Sequence, residues 1–239
     1  MDLSARISKH FEDSAQLKLA LAELLSAPIA AAAEVMVEAF LNERKVLVCG
    51  NGGGAANAQY FSSRMLNHFE VERPGLATIA LNADSTTITA IANFGHFDQT
   101  YAKQVQALGQ AGDVLVAIST SGNAANILNA IRAAKERQMK VIAFSGGDGG
   151  LLMELLEEED IHLGVPHESA ARIQEVYVLI LHCLCDAIDC LYIRSELNAH
   201  VIKHLCRHTY LSGGTRHTIN RLRSCGGWRR RSWRFGGRG

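Results

Sequence analysis

The sequence predicts an α/β fold: a three-layer αβα sandwich around a parallel five-stranded sheet, with two extra helices at the N-terminus. Three observations carry this expectation. Five short apolar runs recur along the chain, helix-periodic segments separate them, and two of the runs end in glycine- or hydroxyl-rich loops that open the next helix. Strands alternating with helices imply right-handed crossovers and a parallel sheet covered on both faces.

Taken in order, residues 2–25 alternate apolar and polar positions with helical period. Pro28, just after Ser26, suits the first turn of a second helix reaching about Asn42, so a helical hairpin is expected over 2–43. Residues 45–49 (KVLVC) form a strand that meets Gly50, Asn51, Gly52, Gly53 and Gly54 before another helical stretch. Further strands are expected at 76–81, 113–119, 140–145 and 160–165, and helices at about 85–108, 123–137, 149–157 and 170–193. There is no internal repeat.

A chain of 239 residues with 48% apolar content can bury a full core. No apolar run approaches the roughly 20 residues of a membrane span, and the start of the chain lacks the pattern of a signal peptide, so a cytoplasmic location and no membrane partner are expected. The six cysteines have no paired CxxC spacing and read as reduced thiols that bind no metal. The net charge of zero averages two unlike regions. Residues 194–239 hold eleven Lys and Arg against one acid, Glu196, which leaves thirteen basic and twenty-three acidic residues before Arg194. The expected division is therefore a domain over 1–193 and a basic, Gly/Arg-rich, disordered tail over 194–239, dispensable for folding. Arg229 to Arg234, interleaved with Trp228 and Trp233, could bind nucleic acid by charge and stacking. The abrupt change of composition is equally what a shifted reading frame would produce.

In a parallel sheet the loops at the carboxyl ends of the strands face a common crevice, where ligands bind. Two such loops have phosphate-binding character. Residues 50–54 let the backbone approach an anion and lead into a helix whose first amides carry partial positive charge. Ser119, Thr120, Ser121, Gly122 and Asn123 follow the third strand, and their hydroxyls and the helix amides could ring a phosphate without a lysine. An ordinary N-cap and turn uses the same residue types, but a second glycine loop in the same setting favours the phosphate. GNGGGAA departs from GxGxxG and no acid ends the second strand, which argues against a dinucleotide.

The motifs CGNGG, AxxAQ, AIAN, GDVLVAISTSGN and RIQE-x6-HCLCD, spread over about residues 2–193, resemble the phosphoheptose isomerase branch of the sugar isomerase (SIS) domain family. That branch includes the DnaA initiator-associating proteins, which are not enzymes, and ALNAD, YAKQVQALGQAGDV and RIQEVYVLILHCLCDAID look somewhat nearer to these. The resemblance implies a homotetramer with sites shared between subunits. It also implies a phosphate or sugar site at Asn51, Gly52, Gly53, Ser119, Thr120, Ser121 and Asn123. Gln174 and His182 match the family's late metal and acid/base positions, and eight residues apart on a helix they share one broad face. Five family positions are altered. Gly54 replaces a serine, Ala124 a hydroxyl residue, Tyr60 a histidine, Arg64 the glutamate base and Phe94 an aspartate.

An arginine cannot accept a proton, and with Tyr60 and Arg64 in place a zinc site keeps two ligands, fewer than the three of a common catalytic zinc. No metal or other cofactor is therefore expected. The function expected is that of a non-catalytic, sugar-phosphate-binding regulator resembling the initiator-associating proteins, with the replication initiator DnaA as a partner. The alternative is a phosphoheptose isomerase converting sedoheptulose 7-phosphate to D-glycero-manno-heptose 7-phosphate, with zinc in that case; a second alternative is nucleic-acid binding through the tail. His182 reads equally as a core histidine, and Arg64 equally as a solvated or ion-paired helix residue. His68, His96 and His167 show no interpretable spacing. Leu191, Tyr192 and Ile193 could contact a protein partner or simply pack in the core.

Overall fold

The structure is a computed structural model that describes the backbone of residues 2–211 and the side chains of residues 2–195. The chain divides into two units, Met1–Ile193 and Arg194–Gly239, and the whole sheet lies in the first.

Five parallel strands, β1 (Val46–Gly50), β2 (Thr78–Ala80), β3 (Val114–Ser119), β4 (Lys140–Gly146) and β5 (Ile161–Val165), line up in the order β2-β1-β3-β4-β5. Alternation along each strand feeds two cores. Val46, Val48, Val116, Ile118, Ile142 and Phe144 enter one cluster, and Leu47, Cys49, Leu115, Ala117, Val141 and Ala143 enter the other. Helices α1 (Leu3–Leu41), α2 (Gly53–Leu66) and α6 (Ala170–Leu211) cover the first face, while α4 (Ala102–Leu108) and α5 (Ala125–Glu136) cover the second. Helix α3 (Ser85–Asn93) lies between β2 and α4 in the chain. The three-layer sandwich with a central parallel sheet is as the sequence predicts.

The N-terminal hairpin is not. Asp2 caps α1 through its carboxylate, which accepts from the amides of Ser4 and Ala5, and the helix then runs unbroken for 39 residues through Pro28. An internal proline costs about 3 kcal/mol or more. Leu21, Leu25, Ile29, Met36, Val37 and Phe40 are buried on either side of it, and full burial of each large apolar side chain contributes about 1.5–3 kcal/mol, so packing outweighs the proline.

Two further helices differ from expectation. The stretch 85–108 is broken at Gly95, whose φ of +78° leaves the helical region, so α3 and α4 flank a short 3-10 turn, Phe97–Gln99. The stretch 149–157 is a 3-10 segment, Gly150–Leu155. Helix α6 passes beyond Ile193 to Leu211, because no glycine or proline interrupts the chain before Gly213. Residues 194–211 of the expected tail are helical here. Its remainder, including Trp228 to Arg234, lies outside the described residues.

By length and composition α1 and the segment Ala170–Ser195 are apolar enough to cross a membrane, contrary to the sequence reading. Both are core helices here, and each sends its buried side chains into the same cluster beneath the sheet. The four cysteines with described side chains are free. Burial pushes the Cys49 and Cys185 thiols up to about 12, which keeps them protonated and unreactive.

Candidate active site

Strand order reverses at β1: the chain steps outward to β2 and then returns to β3 on the other side. The crevice between the carboxyl ends of β1 and β3 is the switch point where such sheets hold ligands. The two phosphate-type loops flank it. Asn51 and Asn126 tie them together with reciprocal amide hydrogen bonds, 2.8 Å in each direction. Gly50 admits no side chain, since a Cβ would lie 2.5 Å from the Gly54 backbone, and its carbonyl accepts from the buried Tyr101 hydroxyl at 2.5 Å. Gly52 takes the N-cap position of α2 with φ +53°.

In the second loop, Ser119 Oγ accepts from the Gly122 amide and Ser121 Oγ from the Asn123 amide. A hydroxyl that accepts still has its own proton to donate, so both remain donors for an anion. Asn123 Oδ1 accepts from the Leu151 amide at 2.9 Å, and Thr120 holds the neighbouring loop through its carbonyl, which accepts from the Gly146 amide. Gly122 has φ +65°, and a Cβ there would meet Gly149 O at 1.8 Å, so the turn requires glycine. No side chain caps α5 at Ala124.

The second half of the site is the seam between α2 and α6. Going along both helices, Gly53 and Asn57 face Gln174, and Tyr60 faces His182. The Gln174 amide lies 3.0 Å from where a Gly53 Cβ would stand, and its Oε1 accepts from Asn57 Nδ2 at 2.7 Å. Tyr60 Oη and His182 Nε2 are hydrogen-bonded at 2.8 Å. Phe69 stacks on the His182 ring with centroids 5.6 Å apart, and Tyr60 meets it edge-on, also at 5.6 Å. The imidazole is thus held between two residues, Tyr60 and Phe69. One turn beyond Tyr60, the Arg64 guanidinium carbon sits 5.0 Å from the Tyr60 ring centroid, and the buried Arg64 Nε has no hydrogen-bond partner among the described residues. Among the described residues no carboxylate lies within ion-pair distance of Arg64, whereas Arg73 is paired with Asp189 at 2.5 Å.

Of the altered positions, Gly54 packs against Ile118, with a Cβ meeting the isoleucine side chain at 3.2 Å. Phe94 ends α3 and is 77% exposed. His167 Nδ1 accepts from the Ser169 amide and lines a cleft of about 530 Å³ with His10, Asp13 and Arg172, which contains none of the predicted site residues. Leu191 and Tyr192 pack partly buried against the main core. Asn57, Phe69, Tyr101 and Asn126 belong to the constellation and were missed. Within helical patterns they look like ordinary surface or core positions, and only a fold that brings α2, α5 and α6 together reveals them.

Comparison with known proteins places this geometry. The SIS domain family profile matches residues 9–146. The phosphoheptose isomerase of Aromatoleum aromaticum is 57% identical over 196 residues, 82% of this chain and 99% of that one. The solved phosphoheptose isomerase of Francisella tularensis is 50% identical with a TM-score of 0.77, covering 79% of this chain and 99% of that one. That of Neisseria gonorrhoeae is 47% identical with a TM-score of 0.74, covering 78% and 98%. These findings overturn the expectation of a non-catalytic regulator of replication: proteins alike over nearly their whole length are isomerases, and the inference from Arg64 to inactivity is not supported. The chain belongs to the SIS domain family, in its phosphoheptose isomerase branch.

Proposed function

We propose that this protein is a phosphoheptose isomerase that interconverts sedoheptulose 7-phosphate and D-glycero-manno-heptose 7-phosphate. The observation that carries the reading is His182, an imidazole held between Tyr60 and Phe69 on the seam that begins at the phosphate-type loops. Arginine at position 64 cannot be a base, but the reaction does not require one from α2. Ketose–aldose exchange moves one proton from C1 to C2 and one hydroxyl proton from O1 to O2, and a single imidazole on one face of the sugar can carry the first.

The roles follow from the chemistry of each group. Ser119, Thr120 and Ser121 donate hydroxyl protons to the phosphate, with Asn123, Asn51 and the amides that open α2 and α5 completing the cradle. Gly52 and Gly53 let the backbone approach it. Gln174 lies against the glycine loop, and eight residues of helical rise put His182 about 12 Å further along α6. A seven-carbon ketose phosphate is about 10 Å from phosphorus to C1 by ordinary bond lengths, so phosphate and reacting carbons match the two ends of the seam. In the productive tautomer, His182 Nε2–H donates to the Tyr60 oxygen, which leaves Nδ1 as the proton acceptor. The proposal includes a cytoplasmic location, because a doubly charged sugar phosphate stays on the side of the membrane where it is made.

The test is turnover by wild-type protein purified from a host lacking its own isomerase, followed as loss of the ketose and gain of the aldose. Conversion should fall by about 10² to 10⁴ in His182→Ala, the usual contribution of a general base. Wild-type protein that forms no aldose would refute the reading.

A further inference from the structure

The resemblance brings with it a zinc ion, and the residues present do not fit one. Among the described residues no three His, Cys, Asp or Glu side chains cluster as a ligand set. At the four positions concerned stand a phenol, a guanidinium, an amide whose oxygen already accepts from Asn57 and an imidazole whose Nε2 is bonded to that phenol. A guanidinium keeps its charge throughout the physiological range and repels a second cation in a half-buried site.

The same guanidinium meets a need of the proposed reaction. Removing the C1 proton from a ketose leaves an enediolate whose negative charge rests on the C2 oxygen, and isomerases stabilise such a charge with a fixed cation or hydrogen-bond donor. Arg64 is such a group in three respects. It has no carboxylate partner among the described residues, its buried Nε–H lacks an acceptor, and its guanidinium lies over Tyr60, the ring whose hydroxyl holds His182. Tyr60 orients base and cation together, through its oxygen and through its face.

Resting on the isomerase reading, we propose that Arg64 supplies the positive charge that stabilises the enediolate, so that the site works without a metal ion. The C1–H bond breaks and its proton goes to His182 Nδ1. The electron pair forms the C1–C2 double bond, and the C2 oxygen takes the charge opposite Arg64. The O1 proton passes to O2, the imidazolium returns its proton to C2, and a C1 carbonyl results. No electron is gained or lost overall.

The experiment pairs binding with turnover. A hydroxamate of a phosphorylated aldonic acid mimics the planar, anionic enediolate, whereas the corresponding alditol phosphate mimics only the ground state. Calorimetry on wild-type protein should show the hydroxamate preferred, and Arg64→Gln should lose about 10²- to 10³-fold of that preference and of kcat, with alditol phosphate affinity unchanged. Arg64→Lys, which keeps the charge, should retain most of both and guards against a folding artefact. Metal analysis should find substoichiometric zinc, and a chelator should leave hydroxamate binding intact. Stoichiometric zinc whose removal abolishes hydroxamate binding overturns the proposal, as does a hydroxamate preference that survives Arg64→Gln. If wild-type protein turns over while Arg64→Gln is unimpaired, only this inference falls. If wild-type protein neither turns over nor prefers the hydroxamate, the isomerase reading falls with it.

Discussion

At the scale of single residues, the site depends on how His182 is held. Tyr60 stands where the resemblance implies a histidine, and it is bonded to His182 across 122 residues of sequence. Removing that bond while keeping the ring should cost about 0.5–1.5 kcal/mol, so Tyr60→Phe should lower kcat by roughly 2- to 12-fold with KM little changed. This is far less than the loss expected from His182→Ala, because Phe69 still stacks on the imidazole. Steady-state kinetics on the two variants separate positioning from proton transfer. Tyr60, Arg64, Gln174 and His182 were all legible in the sequence through the family motifs. Their mutual contacts were not, and that is where the sequence reading went astray. Taken one position at a time, Arg64 reads as a lost base; in the folded chain it lies over the ring of Tyr60, whose hydroxyl is bonded to His182, and among the described residues it has no carboxylate partner.

At the scale of elements, the strands were legible because each is a short buried run closed by loop residues, and β1, β3 and β4 are buried almost throughout. Helix breaks were less so. Pro28 reads locally as a boundary, yet the buried stripe from Leu21 to Phe40 carries α1 through it. Gly95 interrupts a stretch whose periodicity looks continuous. The register of α2 against α6 rests on an element junction that the sequence did not announce: Arg73, after α2, pairs with Asp189 on α6, both almost completely buried. Arg73 also donates to the carbonyls of Met65 and Arg64 at the end of α2. Removing one partner of a buried pair leaves a charge without compensation, so Asp189→Ala should destabilise the protein by about 3–5 kcal/mol. The double replacement Arg73→Met with Asp189→Leu should cost much less. Urea unfolding of the three proteins checks this, and equal losses in single and double variants would contradict it.

At the scale of the whole molecule, α1 carries an apolar stripe that the described residues leave uncovered: Leu3, Ile7 and Phe11, spaced four apart, are 61%, 56% and 76% exposed. Burying this stripe against other copies of the chain is expected to give a homotetramer. Light scattering should give four chains per particle for the wild type and a smaller species for Ile7→Asp with Phe11→Asp; a monomeric wild type at micromolar concentration would contradict it. Isomerisation itself can be followed atom by atom in solution. Sedoheptulose 7-phosphate and wild-type protein are mixed in D2O and followed by NMR. The aldose 7-phosphate should appear carrying solvent deuterium at C2, because the proton held on His182 exchanges with the medium, and this signal should grow about 10² to 10⁴ times more slowly in His182→Ala. A ketose left unchanged by the wild type, or converted equally by His182→Ala, would contradict it.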